Sequence, residues 1–492
     1  MCDIVLVALN ARWAHSSLGS RCLLANLGPM RDRARIEEFD LDARPLDVVE
    51  RILAGGPRIV GIGVYVWNVA LATQVAAALR AAAPHVRIVL GGPEISHETQ
   101  GQEILRHAHH VIRGEGDLEF ARLCGQLLGD SVAGPSSPIL PHAAIIDAAP
   151  VDLARVELPY DLYDPRDLSG RVVYVESSRG CPFGCEFCLS SLDPGLRLVP
   201  LERFLPAMQR LLDGGAAHIK FVDRTLNANT PHAARVLEFF ADRQQPGLLV
   251  HFEMIPDQLP EALRRPIQRF APGTLQLEVG VQTFNADVAA RIGRRQDNAL
   301  AEENLRWLRT QTHAHLHADL IVGLPGEDLS SFAAGFDRLV SIGPQEIQVG
   351  ILKRLRGAPI ARHDGAWGMA WNPHAPYEVL RTNCIGFAAM QEMRRFARYW
   401  DMLANSGRFG RTMKLVLDGG SAFEAFLGLS RFLWQRLGRA HAIARDELAA
   451  RVGQWLLSRG HDARRVSEAL AGDRRAADAS SSRRQARHMV GR

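Results

Sequence analysis

Three cysteines, Cys181, Cys185 and Cys188, stand close together in the stretch SSRGCPFGCEFCLSS, with the spacing C-x3-C-x2-C. A structural zinc site normally has four ligands, and catalytic zinc with an open position usually takes His and carboxylate ligands. A disulfide would leave one thiol over. A 4Fe-4S cube is held by thiolates, and three of them leave its fourth iron open to a non-protein ligand. The flanking Gly180 and Gly184 allow the loop to wrap tightly, so the pattern favours a catalytic iron–sulfur cluster.

The cysteine loop follows a strand that opens a second series of strands separated by helical patterns. Six short apolar segments make up this series: 171–177, 218–223, 248–254, 275–281, 317–323 and 346–352. Six strand–helix units predict a partial (β/α)6 barrel of TIM type over residues 169–375. The active site of such a barrel lies at the C-terminal ends of its strands, and the cysteine loop stands at one of them.

An earlier strand–helix alternation occupies residues 1–135. The segments DIVLVAL, RIVGIGVY and VRIVLGG are apolar and β-branched, as expected for strands buried on both faces. They predict a Rossmann-like, doubly wound parallel sheet. Glycines follow three strand ends, in GIGVYVWN, LGGPEIS and IRGEGD. Ligands of such sheets bind at the carboxyl ends of the strands, so these glycines together favour a ligand edge.

The remaining segments complete an α/β chain with a helical C-terminal region. Residues 136–168 fall in a stretch rich in Pro, Ser and Asp, which predicts a linker. Residues 376–470 show mostly helical patterns. Residues 471–492 are polar and Arg-rich, and we expect a disordered basic tail there.

Composition sets broad limits on function. The 492 residues predict two to four domains, and a net charge of +4 gives no strong attraction to nucleic acid or membrane. The sequence has no apolar run long enough for a transmembrane helix, and its first residues indicate a strand rather than a signal peptide. Seven cysteines, odd in number and mostly scattered, indicate a reducing cytoplasm.

With these residues in view, CPFGCEFC resembles the C-x3-C-x-aromatic-C signature of the radical S-adenosylmethionine (radical SAM) superfamily. The resemblance implies that Cys181, Cys185 and Cys188 hold a 4Fe-4S cluster whose open iron is chelated by S-adenosylmethionine. It also implies that Phe187 lies against the adenine. One electron would then cleave the sulfonium bond, giving methionine and a 5′-deoxyadenosyl radical that abstracts hydrogen from a substrate carbon.

Other segments resemble the superfamily's S-adenosylmethionine contacts at the strand ends. They are FVDRTLN, HFEMIPD, LEVGVQTFN and LIVGLPGED, the last being similar to a G-x-x-G-E element. Buried carboxylates are costly without partners, so their presence at adjacent strand ends favours a site. The binding residues implied by this resemblance are Phe187, Asp223, Glu253, Glu278, Gln282, Gly323, Gly326 and Glu327.

A Rossmann-like domain directly before this barrel resembles the cobalamin-binding subgroup of radical SAM enzymes. The segments NARWAHSSLGSRCL and NSGRF resemble an uncharacterised branch of that subgroup. In the subgroup the corrin lies on the first domain and faces the cluster. The cobalamin-binding residues expected here are Gly63, Val64, Tyr65, Trp67, Gly91, Gly92, Pro93, Gly114, Glu115 and Gly116.

One departure concerns the cobalt ligand. The chain lacks the D-x-H-x-x-G motif of domains that ligate cobalt through His, since His97 in EISHETQG has neither the Asp nor the Gly at the required spacing. Tyr65 or Trp67 could cover the lower face of the corrin, or both could be core aromatics. A domain that kept the fold and lost cobalamin is a further alternative.

The resemblance implies an enzyme with a 4Fe-4S cluster, S-adenosylmethionine and cobalamin that methylates an unactivated carbon. The alternatives are a cobalamin-associated radical rearrangement or cyclisation, and a non-catalytic cobalamin or redox sensor. The expected partners are a small-molecule or natural-product substrate and a one-electron reductant of flavodoxin or ferredoxin type, with no membrane and no nucleic acid. The sequence leaves the catalytic residue open, with Cys384 as a candidate hydrogen-atom donor in the C-terminal helices.

Overall fold

The structure is a computed structural model that describes residues 2–129 and 143–490, with side chains described as far as residue 478. Residues 136–142 of the predicted linker and residues 491–492 of the predicted tail lie outside the described residues. No helix in the described part of the chain is long and apolar enough to cross a membrane.

The N-terminal sheet has six parallel strands in the order β2-β1-β3-β4-β5-β6. They are β1 (Ile4–Asn10), β2 (Ala34–Asp40), β3 (Ile59–Gly63), β4 (Arg87–Gly91), β5 (His110–Gly114) and β6 (Ala144–Ala148). The helices of this region are α1 (Leu18–Ala25), α2 (Pro45–Leu53), α3 (Val69–Ala82), α4 (Pro93–Ser96) and α5 (Gly116–Gly129). One apolar core joins the sheet to α2 and α3, and a second joins its other face to α1 and α5. The expected doubly wound sheet is confirmed.

A second sheet of six parallel strands has the order β14-β13-β12-β11-β10-β7. Its strands are β7 (Val173–Val175), β10 (His218–Phe221), β11 (Leu249–Met254), β12 (Leu275–Gln282), β13 (His315–Val322) and β14 (Glu346–Ile351), and the short pair β8 (Ser178–Arg179) and β9 (Arg197–Leu198) follows β7. The strands stand in chain order, so every crossover joins neighbours, as in a barrel. The two end strands are not hydrogen-bonded to each other, which makes the barrel partial, as expected.

Helices cover the outer face of this partial barrel and form the C-terminal region. Those associated with the barrel are α6 (Pro165–Gly170), α7 (Leu201–Asp213), α8 (Thr230–Ala241), α9 (Glu261–Gln268), α10 (Ala286–Arg291), α11 (Asn298–Gln311), α12 (Leu329–Ile342) and α13 (Asp364–Trp367). After the pair β15 (Ala370–Trp371) and β16 (Val379–Arg381) come α14 (Phe387–Trp400), α15 (Gly410–Val416), α16 (Ala422–Leu437), α17 (Arg445–Ser458) and α18 (Ala463–Val490). Aromatic rings of α12, α14 and α16 pack together, with Phe396 5.2 Å from both Phe336 and Phe423 between ring centroids.

The alternation along the barrel strands explains how one sheet serves two environments. Every second residue of β12 is buried against the helices, as at Leu277 and Val279, and the residues between them face the barrel interior. The same alternation holds in β13. Successive side chains of a strand point to opposite faces, so polar residues of the interior recur at a spacing of two.

The structure differs from the sequence-based domain plan at three places. The two edge strands of the first sheet, β2 and β6, were not expected, because edge strands carry charged residues and lack a long apolar run. The described part of the predicted linker contains β6 and packs Tyr160 and Tyr163 into the barrel core. A helix, α18, occupies the position of the predicted disordered tail, and its Asp473 is buried where it accepts hydrogen bonds from Thr412.

The segment before α1 closes one edge of the partial barrel. His15 forms a parallel bridge with Val172, immediately before β7. The amide of Val172 donates to the carbonyl of Ala14 at 2.8 Å, and the hydroxyl of Ser16 donates to the carbonyl of Val172 at 2.6 Å. Beside this bridge, Arg21 donates to Asp167 at 2.5 Å across the domain boundary. The two sheets are therefore joined by backbone as well as by ion pairs.

Candidate functional site

The three cysteines of the loop after β7 line one cavity of about 150 Å³ at the C-terminal mouth of the barrel. Cys181 and Cys185 are buried, and Cys188 is half-buried. No three His, Cys, Asp or Glu side chains in the described ranges could hold a single metal ion together. Three thiols around one cavity therefore fit a larger, sulfur-rich group better than a lone ion.

Backbone contacts fix the path of the cysteine loop. The amide of Cys181 donates to the carbonyl of Asp193 at 3.0 Å, and the amide of Glu186 donates to the carbonyl of Ile292 at 2.9 Å. Gly180 has φ +85°, and a side chain there would collide with the carbonyl oxygen of Gly195. Only glycine fits this position without moving the backbone.

One arginine faces the thiols. The guanidinium of Arg294 donates to Cys185 Sγ at 3.5 Å, and it also donates to the carbonyl of Gly280. Burial raises the pKa of the Cys185 thiol, while the charge and hydrogen bond of Arg294 act in the opposite direction. Arg294 is thus placed to favour the thiolate, which is the metal-binding form.

Four of the eight predicted S-adenosylmethionine residues line the cysteine cavity: Phe187, Glu253, Glu278 and Gln282. Gln282 has φ +69° at an irregularity in the pairing of β12 with β13. A left-handed backbone is uncommon for glutamine and marks a position held by its surroundings. Burial raises the pKa of Glu253 to about 7, and among the described residues its carboxylate has no hydrogen-bond donor.

The other four predicted residues lie outside that cavity. Asp223 is buried and accepts hydrogen bonds from the amide and hydroxyl of Ser177, at 2.9 and 2.6 Å, and from the hydroxyl of Ser178 at 2.6 Å. Burial raises the pKa of Asp223 to about 6 against those hydrogen bonds. Its carboxylate therefore connects the end of β7 to the end of β10. A polar residue at a strand end can have this structural role or contact a ligand, and the sequence alone does not distinguish the two.

The predicted G-x-x-G-E element is also internal to the protein. A side chain at Gly323 would contact Val379 and Met390, and one at Gly326 would contact Trp367. Glu327 is buried and accepts a hydrogen bond from the hydroxyl of Thr283 at 2.6 Å. These contacts pack the loop after β13 against the C-terminal region instead of opening it to the cavity.

Polar residues of the barrel interior extend the site below the cysteines. Glu278 lies 3.2 Å from the ammonium of Lys220 and 2.9 Å from Nε2 of His251, and Asp319 lies 3.2 Å from Nε2 of His317. Burial opposes ionisation of Glu278, but His251 and Lys220 outweigh it and lower its pKa to about 2. Asp319 lines the cavity beside Glu278, and its pKa is raised mainly by burial.

Sequence reasoning missed most of these interior residues. Lys220, His251 and Asp319 alternate with apolar residues, a pattern shared with strands that face solvent on one side. Their position could have identified them, since all three residues lie on strands that were assigned to the barrel. Arg294 was missed because it comes from a loop after α10 and reaches the cysteines only through the fold.

A larger cavity of about 500 Å³ lies between the first sheet and the cysteine loop. It is lined by eight of the ten predicted cobalamin residues: Gly63, Tyr65, Gly91, Gly92, Pro93, Gly114, Glu115 and Gly116. Gly92 has φ +110°, and a Cβ there would lie 2.5 Å from the carbonyl oxygen of Val64. The glycine turns therefore line this cavity at the carboxyl edge of the sheet, and Gly92 is required there by the backbone of Val64.

The remaining two predicted residues sit behind this cavity. Val64 is fully buried, while Trp67 is 50% exposed and stacks on Tyr65 with ring centroids 4.5 Å apart. Only Tyr65 of this pair lines the cavity. In the described part of the chain no histidine lines it, which agrees with the missing His motif. The glycine-rich walls, which include both apolar and charged side chains, fit a corrin without a histidine ligand from the residues that the structure describes.

The two cavities meet at a shared wall. Ser190 and Arg224 line both of them. Arg224 is exposed, and its guanidinium forms no hydrogen bond or ion pair with any residue that the structure describes, although its charge acts to lower the pKa of Glu253. Its guanidinium is therefore available to an anionic group at the junction.

Cys384, the candidate hydrogen-atom donor, lies in an exposed loop between β16 and α14. It lines neither cavity.

Protein-family models match three parts of the chain. The B12 binding domain matches residues 6–124, the Radical SAM superfamily matches residues 175–339, and a Protein of unknown function (DUF4080) matches residues 365–480. These ranges correspond to the first sheet, the barrel and the C-terminal region. The third model carries no assigned function, in line with the uncharacterised branch that the sequence resembles.

Among curated relatives, the chain is 25% identical over 347 residues to 2-(S-pantetheinyl)-carbapenam-3-carboxylate methyltransferase of Streptantibioticus cattleyicolor, covering 64% of this chain and 50% of the relative. It is 25% identical over 353 residues to the cobalamin-dependent radical SAM methyltransferase TokK of Streptomyces tokunonensis, covering 62% and 48%. The chain thus spans about half the length of these relatives.

Among solved structures, the radical S-adenosylmethionine methyltransferase TsrM from Kitasatospora setae, with cobalamin and a [4Fe-4S] cluster bound, has a TM-score of 0.61 to this chain. The identity is 14%, and the match covers 89% of this chain and 99% of TsrM, so the two share a fold. The glycine-lined cavity lies mainly in the region that matches the B12 binding domain, and the cysteine cavity lies in the region that matches the radical SAM superfamily. Residues 6–124 thus match the B12 binding domain and residues 175–339 the radical SAM superfamily, the two domains that characterise the cobalamin-binding subgroup of radical SAM enzymes.

Proposed function

We propose that the chain is a cobalamin-dependent radical SAM methyltransferase that methylates an unactivated carbon of a small molecule. The observation that carries the proposal is the meeting of two cavities at Ser190 and Arg224. One has the walls expected for a corrin, and the other has three thiols. A radical on a substrate carbon and a methyl donor must approach the same atom, and contiguous cavities allow this.

In the proposal, Cys181, Cys185 and Cys188 hold the 4Fe-4S cluster, and the glycine turns of β3, β4 and β5 hold cobalamin. When bound, the cluster supplies an electron for cleavage of S-adenosylmethionine to a 5′-deoxyadenosyl radical, and cobalamin supplies the methyl group. Arg294 favours the thiolate of Cys185 against the effect of burial, and Gly180 lets the loop carry Cys181 into the cavity.

The walls of the cysteine cavity suggest how S-adenosylmethionine is held. Phe187 offers an aromatic face, and Glu253 and Gln282 offer polar groups at the ends of β11 and β12. An ammonium group beside Glu253 would stabilise its carboxylate, which burial otherwise disfavours. Asp223 acts differently in the proposal, because its hydrogen bonds to Ser177 and Ser178 position the strand end that leads into the cysteine loop.

Several features favour a small-molecule substrate. The first relative named above is a methyltransferase of a carbapenam carboxylate, and the free guanidinium of Arg224 suits an anionic substrate group. We propose that substrate enters between the two cavities and that an external one-electron donor of flavodoxin or ferredoxin type reduces the cluster. All seven cysteines are free thiols, which suits a reducing, cytoplasmic setting.

The test uses full-length protein reconstituted without oxygen with iron and sulfide, then given hydroxocobalamin, S-adenosylmethionine carrying a labelled methyl group, and dithionite. The proposal predicts 5′-deoxyadenosine from the cluster-loaded protein and S-adenosylhomocysteine only when cobalamin is also present. 5′-Deoxyadenosine without S-adenosylhomocysteine would favour a rearrangement or cyclisation enzyme. If neither product forms, the non-catalytic sensor is the better interpretation. Cys185→Ser should abolish both products.

A further inference from the structure

A compact set of charged side chains connects the wall of the larger cavity to the cysteine loop. We call it the interdomain clamp, and it consists of Glu115, Asp117, Glu176, Arg179, Asp193 and Arg197. Glu115 and Asp117 follow β5 in the first domain, and the other four lie from the end of β7 to the start of β9 in the barrel. Glu115 is also one of the expected cobalamin-binding residues, and the other five have no role in the proposed cofactor sites.

Arg179 is the buried centre of the clamp. It donates two hydrogen bonds to Asp117, at 2.8 and 2.9 Å, and three to Glu176, at 2.5, 3.0 and 3.1 Å. Its side chain is only 15% exposed. Paired, nearly parallel donors make the contact with Asp117 both strong and directional. Arg179 is followed in the chain by Gly180 and Cys181.

Arg197 forms the second bridge between the domains. It donates to the two carboxylate oxygens of Glu115, at 2.5 and 2.9 Å, and to Asp193 at 2.5 Å. Burial opposes ionisation of Glu115, but the hydrogen bond of Arg197 helps to lower its pKa. The carbonyl of Asp193 in turn accepts from the amide of Cys181 at 3.0 Å. A short path of bonds therefore runs from Glu115 to the first cysteine.

The clamp also faces the larger cavity. Glu115, Asp117, Glu176, Arg179 and Asp193 all line it, whereas Arg197 lines neither cavity. A ligand in the larger cavity would exclude water from these ion pairs. Attraction between charges grows as the surroundings become less polar, so occupancy would tighten the clamp. A tighter clamp would hold Gly180, Cys181 and Asp193 in the arrangement that the thiols need.

We propose that the interdomain clamp couples cobalamin binding in the larger cavity to cluster assembly on the three thiols, with Arg197 as a positioning residue that touches neither group. The inference rests on the proposed function for the identity of the two groups. Coupling between two sites is reciprocal, so the cluster must strengthen cobalamin binding by the same factor by which cobalamin strengthens cluster retention.

The experiment measures the dissociation constant of hydroxocobalamin by absorbance, in full-length protein with and without the reconstituted cluster. In the wild type, the cluster should tighten binding about tenfold, within the range typical of such couplings. In Arg197→Gln, binding to the cluster-free protein should stay within about twofold of wild type, because Arg197 lies outside the cavity. The tightening by the cluster should be lost.

The reciprocal measurement is the rate at which a ferrous chelator removes iron from the cluster. Hydroxocobalamin should slow this rate in the wild type and not in Arg197→Gln. Asp147→Asn is the matched control, since Asp147 pairs with Arg113 on the exposed side of the same domain and lines neither cavity. This control should retain the full coupling. Arg197→Lys, which keeps the charge without the forked geometry, should retain part of it.

The inference is overturned if Arg197→Gln keeps the tenfold tightening, or if the wild type binds both groups independently. Independent binding would leave the proposed function intact. A wild-type protein that takes up a cluster but no hydroxocobalamin would overturn both. If Arg197→Gln does not fold, Arg197→Lys decides, because full coupling in that variant would also contradict the role of the forked contact.

Discussion

Replacing Glu253 by glutamine should make the protein more stable than the wild type, and the difference should grow as the pH rises. Burial raises the pKa of this carboxyl from 4.5 to about 7. The native state therefore holds a proton that the unfolded chain has lost, and stability falls as the pH increases through this window. Each tenfold change in the ionisation equilibrium is worth about 1.4 kcal/mol, so the full penalty above pH 7 is roughly 3 kcal/mol.

Glutamine mimics the protonated form and carries no such penalty. The stability advantage of Glu253→Gln over wild type should grow by about 2 kcal/mol between pH 5.5 and pH 8, as the wild-type carboxyl ionises. Thermal unfolding of the cluster-free proteins at the two pH values measures this, with Tm gains of several degrees expected at pH 8. Glu261→Gln is the control, because Glu261 is 65% exposed on α9.

An advantage that is the same at both pH values would refute the reasoning, because it would mean that Glu253 is not held in a proton-retaining environment. Equilibrium dialysis with S-adenosylmethionine completes the test. If Glu253 contacts the ammonium of this ligand, the more stable variant should bind it more weakly. Loss of function with a gain in stability is the pattern of a residue kept for its chemistry.

Three further predictions follow from the contacts of single residues. Cys185→Ser should lower the iron and sulfide content after reconstitution, while Cys124→Ser, at a buried thiol of α5 outside both cavities, should retain it; equal iron in both would contradict the ligand assignment. Gly92→Ala should weaken hydroxocobalamin binding, because its Cβ would press on the carbonyl of Val64, whereas Gly125→Ala, with nothing within 4 Å, should bind normally. Asp223→Ala should lower the free energy of unfolding by about 3 kcal/mol, since three donors lose their buried acceptor; a variant of normal stability that fails to bind S-adenosylmethionine would restore Asp223 to the ligand contacts.

The sequence sufficed for the parts of the fold whose patterns have a single explanation. Strand β3 is apolar throughout and β1 is apolar up to Asn10, and only a position buried on both faces accounts for that. The cysteine spacing was similarly unambiguous. The edge strands β2 and β6 escaped prediction because pairing on one side alone asks for no continuous apolar run.

The candidate site was less predictable, because strand ends serve two purposes. Asp223 and Glu253 both follow or end a barrel strand, yet the first is consumed by hydrogen bonds to Ser177 and Ser178, and the second faces the cavity without a donor. Which of two carboxylates points inward depends on the loop that meets it. The contact between Arg197 and Glu115 could not be predicted from the sequence either, since it joins two domains.

The bridge between His15 and Val172 has a consequence for how the chain can be divided. A barrel expressed without the first domain would expose the backbone of Val172 at the start of the edge strand β7. Asp167 and Arg171 would lose Arg21 and Glu38 as partners. An unprotected strand edge is a template for pairing between molecules. Truncation between the two domains should therefore yield aggregation instead of a smaller working enzyme. The two domains should be expressed together, and they should unfold together.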